Sequence, residues 1–189
     1  MNEVQLIRSQ LALERAHAAA VANACATVLQ GAAGAEPTSD APGLFRGACV
    51  DYLACVLAWF EERDQRLVDL IQARFRSTDP RRGAFEEVLA RRGRSREALT
   101  RLESACAGAA PDVRAREQGW REFMEYFNGA WSPRRDALDA LLSSNYRASD
   151  WRSFAGIDAD SILEERRRYA QVRAQLPAGV TLATQEERA

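Results

Sequence analysis

Lysine is absent. All 26 basic residues are arginine, so Schiff-base and other lysine chemistry is excluded; with abundant alanine, the bias fits the codon usage of a GC-rich bacterial genome. Histidine occurs once, at His17, and nothing near it builds a Ser-His-Asp or Cys-His arrangement. No glycine-rich phosphate loop, Walker sequence or G-x-S-x-G elbow is present. Neither sign of charge dominates: the net charge of −1 gives no electrostatic case for nucleic acid or an anionic membrane. Cys25, Cys49, Cys55 and Cys106 form no C-x-x-C pair and fall in apolar runs, where cysteine acts as a small hydrophobe. Met1 to Ser9 contains Glu3 and lacks a signal-like apolar run, and no stretch approaches the about 18 apolar residues of a membrane span. These absences point to a cytoplasmic protein with no membrane or nucleic-acid partner and no cofactor.

Apolar residues at 47% and charged residues at 28% are ordinary for a globular chain, and 189 residues suit one domain. Helical periodicity runs throughout, with no strand-like alternation. The first helix is expected from about Glu3 to Leu29, its apolar face carrying Leu6, Ile7, Leu11, Leu13, Val21, Cys25 and Val28. A loop over residues 30–43, with Pro37 and Pro42, and a frayed tail over 177–189 are expected to be the most mobile parts. The second helix should span about Leu44 to Arg76, with Cys49, Tyr52, Val56, Phe60, Leu67 and Ile71 as its stripe.

Asp79-Pro80 opens a third helix reaching about Ala107, and Pro111-Asp112 a fourth carrying Trp120, Phe123, Met124 and Phe127. Asn128-Gly129 and Ser132-Pro133 should kink or restart that fourth helix. Asp150-Trp151 reads as a turn, and Ser161-x-x-Glu164 as a capping box before a short fifth helix ending near Leu176. The expected fold is all-α: a four-helix up-down bundle with a short extra C-terminal helix, one domain over residues 1–176.

Four helices, then Asp150-Trp151-Arg152 and a terminal helix, resemble the hemerythrin-like family in layout. That resemblance is carried by Ala130-Trp131-Ser132-Pro133-Arg134-Arg135 through Leu142 to Asp150-Trp151, and by Trp59-Phe60-Glu61-Glu62-Arg63-Asp64. It implies a di-iron centre held mainly by histidines of His-x-x-x-Glu pairs. This chain departs from it: the pairs read Trp59 and Arg63, or Phe60 and Asp64, and then Ala130 and Arg134, or Trp131 and Arg135. The third helix offers Arg92 or Arg96, and only His17 could be an inherited ligand. The iron and oxygen chemistry therefore does not carry over.

Glu14 and His17 share one helical face at Glu-x-x-His spacing, inside the apolar arc of the first helix. Arg63 lies between Phe60 and Leu67, and Arg92 between Leu89 and Leu99, on inward stripes. An unpaired buried charge costs several kcal/mol, so such arginines need carboxylates, and Glu14 is the best placed. Two readings stay open. Either Glu14, His17, Arg63 and Arg92 form an internal ion network, or they bind a small anionic ligand through bidentate hydrogen bonds. The first suits a non-catalytic binding or regulatory module acting through a protein partner or a second copy of the chain; the second suits a residual enzyme or anion-binding protein. No metal is expected. The runs Arg91-Arg92-Gly93-Arg94 and Arg166-Arg167-Arg168, the second with Glu164 and Glu165 beside it, read as solvated helix faces.

Overall fold

The computed structural model describes residues 2–31, 41–79, 94, 96–104, 113–131 and 146–182. Every regular element among them is a helix, as the periodicity requires. They are α1 (Glu3–Gly31), α2 (Ala41–Arg74), α3 (Val113–Trp131), α4 (Ala148–Ala155) and α5 (Ala159–Ala174). Residues 96–104 are also helical, with Ala98 and Leu102 buried.

The expected loop over 30–43 is too long at both ends. Helix α1 continues through Gly31, and α2 already begins at Ala41. Pro42 thus lies in the first turn of α2, where a missing N–H leaves no helical hydrogen bond unmade. Asn128 and Gly129 do not break the fourth expected helix: α3 runs unbroken through them to Trp131. Ser132-Pro133, Arg134, Arg135, Arg92 and Cys106 lie outside the described residues.

Asp150-Trp151 stands in a helix, not a turn. Asp150 is the third residue of α4 and accepts from the Arg147 N–H at 2.8 Å, closing the first turn. Helix α5 starts from Asp158, whose carboxylate accepts from the Ser161 N–H while the Ser161 hydroxyl accepts from the Asp158 N–H. The expected Ser161–Glu164 box is displaced by this one, three residues earlier. The C-terminal stretch is also less free than a frayed tail, because Leu176, Val180 and Leu182 pack on the core.

Helices α1 and α2 pack antiparallel: Glu14 meets Arg63 near one end, and Cys25 meets Cys49 towards the other. Helices α4 and α5 pack on both, and α3 packs on α1. The apolar core falls into two clusters. The larger holds Val21, Cys25, Leu29, Phe45, Tyr52, Val56, Phe60, Trp120 and Phe123. The smaller, Leu11, Leu67, Val68, Tyr146, Trp151 and Phe154, gathers where α4 caps the α1–α2 pair.

The segment Gly43–Arg74 of α2 is, by length and composition, apolar enough to cross a membrane, so the expectation that no stretch approaches a span is corrected. Part of its apolar surface is spent inside the fold, since Phe45, Cys49, Tyr52, Leu53 and Val56 have no exposed surface, while Leu44 is 57% exposed.

Candidate functional site

Between the two apolar clusters lies a polar layer. On α1, Leu11 belongs to the smaller cluster and Ala18 and Val21 to the larger; Glu14 falls between them with no exposed surface. On α2, Phe60 and Leu67 bracket Arg63, which is 6% exposed. The helical repeat makes these positions face each other once the helices pack antiparallel.

The pair is closely engaged. Arg63 Nη1 donates to Glu14 Oε2 at 2.5 Å, and Nη2 reaches Oε1 at 3.4 Å. Glu14 Oε1 also accepts from Gln10 at 3.2 Å. The remaining guanidinium edge is used too, because Arg63 Nε donates to the Ala155 carbonyl at 2.7 Å. That carbonyl ends α4, where the chain turns through Gly156 at φ 53° and a helix leaves carbonyls without intrahelical partners. One arginine thus neutralises a buried carboxylate and seats a neighbouring helix.

His17 does not join Glu14. Its Nδ1 lies 2.8 Å from Oε1 of Glu165 on α5, and the Tyr52 hydroxyl donates to the same oxygen at 2.7 Å. Since Oε1 acts as acceptor, the imidazole proton is assigned to Nδ1. The Tyr169 ring stacks on His17 with centroids 3.9 Å apart. Burial and the Glu165 carboxylate push the Tyr52 phenol far above its ordinary range, so it stays a donor at neutral pH. Glu165 is 1% exposed, and its Oε2 has no hydrogen-bond partner among the described residues.

Arg166 and Arg167 are exposed, as a solvated run should be, whereas Glu165 beside them is buried. Its neighbour Glu164 holds Arg167 and Arg168 at 2.6–2.7 Å, which lowers its carboxyl to about 2. Glu165 points the other way. The overlooked signal is the spacing Ile162, Glu165, Tyr169, Val172, Leu176, an apolar stripe with one carboxylate in it.

Beside the layer, α4 is held by a second pair. Arg74 donates to both Asp150 oxygens at 2.8 and 2.9 Å and lies over the Tyr146 ring. The Arg74 guanidinium holds the Asp150 carboxyl below its usual range. Two of the described thiols are poor nucleophiles: a hydrogen bond to Cys49 and burial push the Cys25 thiol up, and burial raises Cys55.

Among the described residues, two of the cavities flank the polar layer and are lined by residues other than Glu14, His17, Arg63 and Glu165. One, of about 250 Å³, lies between Arg8, Arg15 and Trp151. The other, about 390 Å³, is a groove between the start of α2 and the later half of α5, with Tyr52 at one wall.

A di-iron centre does not fit these side chains. The Glu14 carboxylate is committed to a guanidinium, and His17 is the sole imidazole. Among the described residues no three His, Cys, Asp or Glu side chains converge to hold a metal ion. Comparison with family models, with curated proteins and with solved structures gives no match to this chain in any of the three.

Proposed function

We propose that the chain is a hemerythrin-like four-helix up-down bundle without a di-iron centre, serving in the cytoplasm as a non-catalytic binding or regulatory module. One observation carries this reading: the Arg63 guanidinium lies against Glu14 inside the helix packing, putting a fixed cation where a ligand set would need free carboxylates. The Glu14 carboxylate then needs no bound ion to neutralise it. The exposed leucines Leu6 and Leu13, two turns apart on α1, support a contact with a protein partner or a second copy.

A second reading, a residual enzyme or small-anion site, draws on His17 and on the unpartnered Glu165 Oε2. It is the weaker one. Every nitrogen of Arg63 is already hydrogen-bonded within the protein, which leaves it no edge for a bidentate anion.

Elemental analysis of protein purified from iron-replete cells tests the first reading. Iron far below one atom per chain, with no oxo-bridge absorption band, is the expected result. Near-stoichiometric di-iron would overturn it.

A further inference from the structure

Helix α5 brings few buried side chains to the core. Over residues 159–182 only Glu165 and Val172 are buried, with Tyr169, Leu176, Val180 and Leu182 partly covered. One of its two buried anchors is therefore a carboxylate. Burying a carboxylate is favourable only while donors compensate it. Here the compensation comes from two other helices, through His17 of α1 and Tyr52 of α2, and it reaches only one oxygen.

Beyond Glu165, Arg168 Nη1 donates to the Asp51 carbonyl of α2 at 3.4 Å and Tyr169 stacks on His17, while the bonds that shape the helix itself are internal. The Asp158–Ser161 box caps its N-terminus, and Glu164 pairs with Arg167 and Arg168 one turn on. These bonds are all local and survive if α5 leaves the core. Along its later half a surface groove of about 390 Å³ runs between Gln171 and Gln175 on one side and Gly43 and Gly47 on the other. A helix with its own caps and local ion pairs, one of whose two buried anchors is a half-satisfied carboxylate, opens at lower free energy than the helices it covers.

We propose that α5 is a latch: the segment 159–182 lifts from α1 and α2 as a unit, ahead of global unfolding, and uncovers His17, Tyr52 and Glu165. In the closed fold the His17 side chain is 15% exposed and that of Glu165 1% exposed, so lifting α5 would open both to a ligand or partner. The latch does not depend on what that ligand is, nor on the metal-free reading.

Hydrogen exchange measured by mass spectrometry on the full chain tests it. Amides of residues 162–174 are expected to exchange at least tenfold faster than those of Val21–Leu29 and Leu53–Phe60, with the gap closing as denaturant brings on global unfolding. Tyr52→Phe removes one of two donors to Glu165 and should speed exchange in α5 about tenfold, leaving the α1 interior unchanged. The double variant Tyr52→Phe/Glu165→Leu removes the buried carboxylate with its donor and should slow it to or below the wild-type rate. Diethyl pyrocarbonate labelling of His17, the sole imidazole, should follow the same order. Exchange in α5 at the same rate as in α1 and α2, or a Tyr52→Phe effect spread evenly over all helices, would overturn the latch.

Discussion

Glu14 and Glu165 are both buried carboxylates, and their surroundings give them different parts. Glu14 meets a guanidinium that approaches both its oxygens, and Glu165 meets one phenol and one imidazole on a single oxygen. The first is a closed pair and the second is half-satisfied, which is why the stable anchor is assigned to α1–α2 and the latch to α5. The same scale governs the thiols. Cys25 and Cys49 are buried free thiols joined by a hydrogen bond, which with burial pushes the Cys25 thiol up, so little Cys25 thiolate exists at neutral pH. In native protein at pH 7.5, a maleimide reagent with peptide mapping should label Cys25 and Cys49 only at the rate of unfolding. Rapid labelling of either would mean the α1–α2 contact opens on its own.

At the scale of elements, α4 depends on charge more than its length suggests. Eight residues make too short a helix to persist alone. It is held by Trp151 and Phe154 in the smaller cluster, by Arg63 at its end, and by Arg74 at Asp150. Because the folded Asp150 carboxyl is lowered, its contribution is complete above the ordinary carboxyl range near about pH 4 and is lost as pH falls through the lowered value. Thermal melts of wild type and Asp150→Asn should therefore differ most at pH 7 and converge towards pH 2.5. A constant difference across that range would mean the ion pair contributes nothing.

Much of this element level was legible in the sequence, for a physical reason. Long amphipathic helices announce themselves by a 3.6-residue period, and α1 and α2 end within three residues of where the pattern placed them. Glu14 and Arg63 were legible because each interrupts an apolar stripe. Glu165 interrupts one too, but the adjoining Glu164 and three arginines made the whole segment look solvated. His17 was placed beside Glu14 by helical spacing; its actual partner lies 148 residues away, and local periodicity carries no information on which helix packs opposite.

On the scale of the whole molecule, two apolar clusters are joined across one ionic layer, and the account rests on that layer being sealed. A sealed pair withholds the Glu14 carboxylate from iron and the Arg63 edges from an anion, and it fixes how α1, α2 and α4 meet. Removing one member should strand a buried charge at a cost of about 3–5 kcal/mol, against about 0–1 kcal/mol for a solvated pair. The double-mutant cycle of Glu14→Ala and Arg63→Ala, read by urea melts with Glu14→Gln as a milder control, measures this directly. The expected result is two severely destabilised single variants and a double variant that regains part of the loss. Small, additive losses below about 1 kcal/mol would show that Glu14 and Arg63 face water, and would contradict the sealed layer.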